Sequence, residues 1–475
     1  MLPTIATGNV ASATASTGYD VDNSLRLNGA DNPKLSRTAP NTAPTNADKF
    51  TFSCWIKRSS VDEGSGFERQ QIFDSNDETG GPNVQFQIYL TQNNLQFQTY
   101  NSSNQMQLIT NRKFRDVSAW YSIIFVYDSS QGTASNRQKL YINGVQETSF
   151  STETYSGQDV NGEFGIQNKI QMIGNNTANN RDFDGYMAEV IGVEGQALDP
   201  DQFGEFDDSG IWKPIDVSRI NVGNLGFYLN FQNSGALGTD VSGVGNFTLA
   251  NLTSTDQSTD TCTNNFATMN PLDNYYAGST FSEGNCKIVT TGGNITYNTS
   301  TIGFSSGKWY MEVKLGSSSG EVIGVVTGGA TANDNGNKLG NRSDGWGYDY
   351  RGLVENAGAD EGGSFATFSS GNIIGVYADL DNNKLYFSKD GVLQNSGTGL
   401  NLDVSGSPTY FFAVGDNHGS NSATFEVNFG SPSFAISSGN TDGEYGNFEY
   451  STTITGDGAS KTFKALNTKN LAEYG

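Results

Sequence analysis

Apolar and polar residues alternate along short segments in both halves of the chain. The alternation is clearest in residues 84–90 and 95–100, which are separated by a turn that contains Asn93 and Asn94. Asparagine tolerates the positive φ that a tight hairpin requires. Because a period of two places the apolar side chains of a strand on one face, these segments predict a β-hairpin with one buried face.

Similar short segments, each ended by Gly, Asn, Asp or Ser, recur through the whole chain. They indicate antiparallel sheets and predict an all-β protein made of two β-sandwiches in tandem. The predicted strands are residues 24–28, 50–57, 71–74, 121–127, 139–142 and 227–231 in the first half, and 307–314, 321–326, 373–379, 384–387, 410–414 and 425–429 in the second half.

The remaining segments divide the chain into four parts. Residues 1–18 are rich in Ala, Ser, Thr and Gly, so we predict an arm that becomes ordered only against a partner. Residues 19–260 are predicted to form the first sandwich with its trailing strands, and residues 261–432 the second. Residues 433–475 are predicted to be a C-terminal docking tail, in which the polar stretch 451–475 indicates either a short terminal helix or a docking segment.

Two segments inside this plan have their own signals. Residues 253–264 carry almost no apolar side chains, which indicates a linker between the sandwiches. Residues 198–216 mix Pro, Asp and Trp, and we predict one short helix there.

The net charge of the chain makes some classes of partner unexpected. Its 475 residues include 50 acidic and 27 basic side chains, which gives a formal charge of −23. A surface this negative repels phosphate backbones and anionic lipids, so nucleic acid is not an expected ligand. No apolar run approaches the roughly 20 residues of a membrane-spanning helix, so membrane insertion is not expected. The first residues also lack the basic and apolar stretches of a secretory signal.

Cysteine and histidine are too sparse for several kinds of site. The three cysteines are an odd number without metal-binding spacing, and Cys54 lies in a strand where we expect a small core residue. The single histidine, His418, follows a predicted strand and is expected in a solvent-facing loop. Zinc sites and histidine-dependent catalysis therefore lack their usual residues.

The strand motifs of the first half resemble those of concanavalin-A-like, laminin-G-like lectin domains. The resemblance covers about residues 20–215 and implies an antiparallel jelly roll. Its motifs are residues 24–28, 52–57, 120–127, 139–145, 183–190 and 196–198.

The second half resembles a SPRY domain, with the motifs in the right order and spacing over about residues 266–432. This resemblance implies a second jelly roll that binds through loops at one end of the sandwich. Its motifs are residues 307–313, 344–349, 374–381, 385–392 and 427–430.

The pair of domains, with residues 134–137 before Lys139 and the stretch 264–273, is similar to virion proteins of marine, cyanophage-like bacteriophages. This resemblance implies a tail fibre or a capsid-surface decoration protein that presents lectin-like loops to host-surface glycans. It further implies other virion proteins as partners, assembly in the host cytoplasm, a place on the virion surface, and a homo-oligomer for which a trimer is favoured. A purely architectural decoration or adaptor protein and a polysaccharide hydrolase are the alternatives.

Oxygen-rich side chains at one loop of the first domain are the candidate carbohydrate site. Asn175 and Asn176 flank this loop on its N-terminal side, and Asp182 and Asp184 flank it on its C-terminal side. Because hard cations prefer oxygen ligands, Asp182 and Asp184 are candidates for calcium, and the resemblance to lectins implies that sugar hydroxyls bind beside it. Asn and Asp are also ordinary turn residues, which is the alternative interpretation.

The sequence does not predict an enzyme. The glucanases of this fold place catalytic carboxylates at alternating positions of one strand, where they share a face. Glu189 and Glu194 are five positions apart, which predicts opposite faces of a regular strand. The string that begins at Glu205 lacks the second glutamate. Two GxSxG strings, at 303–307 and 316–320, lie in Ser- and Gly-rich turns without the strand-to-helix setting of a nucleophile.

In the second domain, the aromatic side chains Trp346, Tyr348 and Tyr350 are candidates for stacking on sugar rings. Alternation buries one face of a strand, so we expect these residues to be chiefly core material. The loops at residues 327–343 and 352–366 are Gly-rich and are the candidate binding loops of this domain.

Overall fold

The computed structural model describes residues 18–61, 69–76, 84–101, 104–176, 181–273, 278–290, 295–316, 320–328, 338–417 and 422–475. These residues form two compact units that divide between Thr263 and Asn264. Each unit is built almost entirely of strands, which confirms the all-β prediction. No helix among the described residues is long and apolar enough to cross a membrane. The predicted arm lies outside the described residues, except for Gly18.

The strands of the first unit are short, and most are paired with neighbours far away in sequence. They are β1 (Ser24–Leu27), β2 (Lys34–Thr38), β3 (Lys49–Arg58), β4 (Arg69–Asn76), β5 (Gln85–Thr91), β6 (Asn94–Tyr100), β7 (Asn104–Lys113), β8 (Trp120–Asp128), β9 (Gln138–Ile142), β10 (Val145–Glu147), β11 (Phe150–Thr154), β12 (Ile170–Ile173), β13 (Gly185–Glu194), β14 (Gly204–Phe206), β15 (Trp212–Pro214), β16 (Phe227–Leu229), β17 (Thr248–Ala250) and β18 (Gln257–Ser258).

Two antiparallel sheets form the sandwich of the first unit. The β3 sheet has the order β10-β9-β8-β3-β13-β1-β18, and β16 also pairs with β13. The β5 sheet has the order β11-β7-β6-β5-β4-β12-β2-β17. The core between them is rich in phenylalanine, and the rings of Phe86 on β5 and Phe125 on β8 lie 5.5 Å apart. Cys54 is fully buried in this core, as its position in the strand predicts.

The predicted hairpin is strands β5 and β6, which pair from Gln85 and Tyr100 to Thr91 and Asn94. The turn residues are Gln92 and Asn93, with φ of 49° and 63°. The turn therefore begins one residue earlier than the asparagine pair suggests.

A β-bulge interrupts the pairing of β13 with β3. Ala188 lies opposite Trp55 and Ile191 lies opposite Ser53, so one residue of β13 is inserted between them. Glu189, inside the bulge, has a φ of +49°, which is strained for a residue with a Cβ. The bulge turns the Glu189 side chain toward Tyr228.

The prediction of a linker at residues 253–264 is wrong for most of that segment. Strand β18 pairs with β1, and Asp260 is fully buried. Its carboxylate binds the Lys57 ammonium at 2.7 Å and the Trp120 indole N–H at 3.1 Å. Polar composition misled the prediction because this segment is held in the first unit by buried polar contacts rather than by apolar side chains.

The short helix predicted at residues 198–216 is a single turn of 3-10 helix, and the rest of the segment is not helical. The segment holds one 3-10 turn at Pro200–Gln202, followed by the hairpin β14–β15. Trp212 of this hairpin packs against the β3 sheet, where its indole N–H donates to Ser122 Oγ at 3.2 Å.

The second unit also consists of short strands, with one helix near the end of the chain. The described elements are β19 (Thr280–Ser282), β20 (Lys287–Val289), β21 (Thr296–Thr299), β22 (Lys308–Leu315), β23 (Glu321–Val326), β24 (Gly345–Asp349), β25 (Val354–Asn356), β26 (Ala359–Asp360), β27 (Ile373–Asp379), β28 (Lys384–Lys389), β29 (Val392–Leu393), β30 (Leu400–Asn401), β31 (Phe411–Asp416), β32 (Thr424–Asn428), β33 (Thr453–Gly456), β34 (Ala459–Thr462), β35 (Lys464–Ala465) and α1 (Thr468–Tyr474).

The second sandwich has the same plan as the first. The β22 sheet has the order β19-β20-β32-β22-β27-β28-β29, with β30 beside β28 and β35 parallel to β22. The β23 sheet has the order β21-β31-β23-β24-β25-β26. Trp309 of β22 and Phe412 of β31 are fully buried in the core between these sheets.

Residues 433–475 pack on the outer face of the β22 sheet. Phe448 and Phe463 from this segment are fully buried against Tyr310, Tyr377 and Tyr386 of the sheet. The predicted terminal helix is confirmed as α1, which begins after the N-cap Asn467. The segment predicted as a docking tail is therefore docked on its own unit.

Candidate functional site

The rim of the first sandwich brings the predicted site residues together beside β12 and β13. Asn175 Nδ2 donates to the carboxylate of Asp182. Asn175 Oδ1 accepts from the backbone amides of Asn176, at 2.8 Å, and Arg181, at 3.3 Å. Asn175 is fully buried, and its side chain joins Asn176, Arg181 and Asp182, whereas Asp182 and Asp184 are partly exposed.

Asp182 and Asp184 lie on either side of Phe183, which is buried in the core, in the segment that leads into β13. A Cβ built on Gly29 would lie 3.6 Å from the Cβ of Asp182 and 3.3 Å from that of Asp184. The Gly29 amide donates to Asp184 Oδ1 at 3.3 Å. The site therefore consists of the end of β12, the start of β13 and the loop after β1, whose glycine the sequence analysis did not identify.

Burial raises the pKa of both aspartates. For Asp182 the backbone, Asn175 and the charge of Lys34 oppose this effect. For Asp184 the opposing groups are the Gly29 amide, Ser60 and Arg58. Burial still dominates at both carboxyls, so a further positive charge at this rim would stabilise their ionised forms.

The donor chemistry of the rim fits calcium, because two carboxylates offer hard oxygen ligands beside the same glycine. Asp182 and Asp184 would hold the ion, which would add to the positive charges of Lys34 and Arg58 that already act on these carboxyls. Among the described residues, no group of three or more His, Cys, Asp or Glu side chains could hold a metal. Water and ligand oxygens would therefore have to complete the coordination.

The carboxylates considered for hydrolysis do not form a pair. Glu194 accepts from Thr45 Oγ1 at 2.7 Å and from the Asn46 amide at 3.0 Å. Glu189 instead accepts from tyrosine hydroxyls on the β3 sheet. The two side chains therefore have different surroundings, and the bulge at Glu189 does not bring them onto one face.

The surroundings of Glu189 shift its pKa, which the sequence analysis did not predict. Its Oε2 accepts from Tyr228 at 2.6 Å and from Tyr19 at 3.3 Å. Burial raises the pKa of Glu189 to about 7, although both tyrosines lower it. No sequence signal marks the bulge, because a bulge adds one residue without changing composition.

The aromatic residues of the second domain are core residues. Tyr348 is fully buried and Trp346 nearly so, and both belong to the core cluster, which Tyr350 contacts from its edge. Of the candidate binding loops, residues 352–366 are described and mostly exposed, whereas 329–337 and His418 lie outside the described residues.

Two family models match the chain. Residues 32–202 match the concanavalin A-like lectin/glucanases superfamily, and residues 308–430 match the SPRY domain. The fold and these matches define a protein with a lectin-type jelly roll followed by a second jelly roll. The first is a concanavalin-A-like, laminin-G-like domain and the second is a SPRY domain, as the sequence motifs imply.

Several solved structures are similar to parts of the chain. The SPRY domain of human HERC1 is 17% identical, with 34% of this chain and 96% of that chain covered and a TM-score of 0.28. A Bacteroides ovatus protein described as a candidate carbohydrate-binding protein is 16% identical, with 49% and 58% covered and a TM-score of 0.33. The SAP-like pentraxin of Limulus polyphemus is 19% identical, with 38% and 80% covered and a TM-score of 0.28. No curated protein matches the sequence significantly.

Proposed function

We propose that the protein is a non-catalytic, glycan-binding subunit of a bacteriophage virion surface, either a tail fibre or a capsid-surface decoration protein. The observation that carries the glycan-binding part is the rim at Asn175, Asp182 and Asp184. There, two carboxylates and the Gly29 amide lie beside one another at the end of a lectin-type sandwich.

The chemistry of this rim suits sugar hydroxyls, which both donate and accept hydrogen bonds. The partly exposed carboxylates of Asp182 and Asp184 accept from hydroxyls, and a calcium ion between them and the sugar would add a second contact. The hydrogen bond from Asn175 holds the Asp182 carboxylate in place, so this acceptor is oriented before the ligand binds.

The absence of catalysis is part of the proposal. Glycoside hydrolysis needs two carboxylates that flank one bond. Glu189 and Glu194 have separate partners. Asp207, in the string that begins at Glu205, accepts from the backbone amides of Ser209 and Ile211 in an exposed turn. Digestion of envelope polysaccharides by the purified protein would contradict this part.

The virion role rests on the similarity of the domain pair and its flanking motifs to marine phage proteins. This role implies that other virion proteins and host-surface glycans are the partners. It also implies a homo-oligomer, for which a trimer is favoured. Gold-labelled antibodies against the protein, applied to intact phage particles, would test this role. Labelling of neither the head surface nor the tail would contradict it.

The glycan-binding part is tested on a glycan array, with calcium and with a chelator. We expect retention of a subset of glycans in calcium, at least tenfold weaker retention in the chelator, and loss of binding in Asp182→Asn and Asp184→Asn. Asp201→Asn, at an exposed position in the same unit, is the matched control. Binding that ignores the chelator would remove calcium from the proposal. Absence of any glycan binding would favour the architectural alternative.

A further inference from the structure

The outer face of the β5 sheet carries polar and aromatic side chains where strand alternation points them away from the core. Phe86 and Ile88 of β5 are core residues, so Gln87 and Tyr89 lie on the opposite face. Gln87 lies opposite Gln98 across the strand pair. The Tyr89 hydroxyl donates to Gln98 Oε1 at 3.0 Å.

Two arginines cover the ring of Tyr89. The guanidinium carbon of Arg69 lies 4.8 Å from the ring centroid, and that of Arg181 lies 5.9 Å from it. Tyr89 is fully buried beneath them, while Arg69 and Arg181 are themselves only partly buried. The ring therefore holds two guanidinium groups next to each other at the surface.

Neither guanidinium forms a salt bridge with a described residue. The side chain of Arg181 has one hydrogen bond there, to Gln87 Oε1 at 3.4 Å, and Asp74 acts on it only at a distance. Burial and the like charge of Arg69 lower the pKa of Arg181. In contrast, the buried Arg37 of the same unit is paired with Asp240 at 3.2 Å. Two adjacent arginines that have no carboxylate partner within the described part of the chain are unusual in a protein of charge −23.

Gln71 gives an independent sign of a missing ligand group. It lies opposite Tyr89 across β4 and β5, so its side chain shares the same face. Its amide nitrogen donates to the Phe73 carbonyl at 2.6 Å. Its Oε1 is buried and has no hydrogen-bond partner among the described residues. A buried acceptor without a donor is costly unless a ligand or water supplies one.

We propose that Arg69 and Arg181 bind the carboxylate of an acidic sugar, such as a uronic acid unit of a polysaccharide. The planar guanidinium fork matches a carboxylate in a bidentate geometry, and two such groups neutralise its charge. Gln71 Oε1 is buried beneath this surface, so a water molecule between it and the sugar would have to supply its donor. This inference rests on the proposed glycan-binding function and names the class of glycan.

The arginine pair is joined to the rim site through the backbone of Arg181. The Arg181 amide donates to Asn175 Oδ1, and the Arg181 carbonyl accepts from the Gln71 amide at 2.9 Å. Arg181 and Asp182 are adjacent in sequence, so one oligosaccharide can contact the rim with one unit and the arginines with the next.

Isothermal titration calorimetry of the full chain with a six-unit oligogalacturonate tests the proposal. The titration is done in a chelator, because oligogalacturonate itself binds calcium, so it measures the contact with the arginines without the calcium contact at the rim. We expect binding that weakens as salt rises, because the contact is ionic. Arg69→Ala and Arg181→Ala should each weaken it at least tenfold, while Arg112→Ala, which removes an arginine paired with Glu147 in the same sheet, should leave it unchanged.

Titrations with two other glycans and with two lysine variants distinguish the possible outcomes. Cellohexaose, which is neutral, should bind at least tenfold more weakly than oligogalacturonate, and dextran sulfate should not bind more tightly. Equal binding of the neutral sugar, stronger binding of the sulfated one, or unchanged affinity in both arginine variants would overturn the proposal. Arg69→Lys and Arg181→Lys keep the charge and should still lose most affinity, so they serve if the alanine variants do not fold. Glycan binding that depends on Asp182 but not on either arginine would overturn only this inference.

Discussion

A buried glutamate lies on the outer face of a central strand in each unit, but the donors around it differ. Glu189 on β13 accepts from the hydroxyls of Tyr228 and Tyr19. Glu312 on β22 accepts from the backbone amides of Glu449 and Tyr450, at 2.9 Å and 2.7 Å. Tyr310 and Asn428 also donate to Glu312, at 3.0 Å and 3.3 Å.

Burial raises the pKa of both glutamates to about 7, although the hydrogen bonds that each accepts lower it. The difference is in what each carboxyl holds in place. A tyrosine hydroxyl can rotate, whereas a backbone amide can only donate in one direction. Glu312 therefore fixes the C-terminal segment on the β22 sheet, while Glu189 only satisfies side chains around a bulge.

The largest expected effect is that of Glu312→Gln at pH 5, where both wild-type carboxyls are neutral. The amide group of glutamine would face backbone N–H groups, and one buried donor would lose its acceptor. We expect a loss of about 3 kcal/mol in the free energy of unfolding. Hydrogen exchange of the β22 amides against denaturant measures it. A loss below about 1 kcal/mol would mean that the segment does not depend on this carboxyl.

The second effect is a pH dependence that Glu189→Gln removes. The folded pKa of about 7 lies above the ordinary value of 4.5, so the folded state binds the proton more tightly. This stabilisation is present at low pH and is lost as the pH rises through 7. Glu189→Gln should therefore gain about 2 kcal/mol relative to the wild type between pH 5 and pH 8.

The measurement is the free energy of unfolding of the first unit, from exchange of the β13 amides at both pH values. The difference between variant and wild type cancels the contribution of other titrating groups. A constant difference across this range would show that Glu189 does not change its protonation there.

The smallest effects distinguish the two tyrosines at Glu189. Tyr228→Phe removes a buried 2.6 Å hydrogen bond and should cost about 1 kcal/mol, whereas Tyr19→Phe removes a 3.3 Å contact of a partly exposed side chain and should cost less. Thermal unfolding of both variants at pH 8 compares them. Equal costs would mean that Tyr19 holds the carboxylate as firmly as Tyr228.

The sequence predicts those features that depend on local alternation and turn chemistry. The β5–β6 hairpin, the buried Cys54 and the core positions of Trp346 and Tyr348 follow from a period of two. Asn175, Asp182 and Asp184 meet because the two segments flank a single loop.

Features that depend on residues far apart in the sequence could not be predicted in this way. Asp260 contacts Lys57, which is 203 positions away, so its segment has the composition of a linker and the structure of a core element. Arg69 and Arg181 meet on Tyr89 through the pairing order β5-β4-β12, which no local pattern encodes.

The buried contact between Asp260 and Lys57 also decides where the molecule can be cut for separate expression. A fragment of the first domain that stops at residue 252, where the polar stretch begins, would retain the buried Lys57 but lose the Asp260 carboxylate that it binds. The same fragment extended to Thr263 keeps that cation neutralised and also keeps Ser24 hydrogen-bonded to the Asp260 carbonyl at 2.6 Å. The eleven residues 253–263 therefore decide whether such a fragment keeps this buried ion pair or loses one partner of it, which is strongly destabilising.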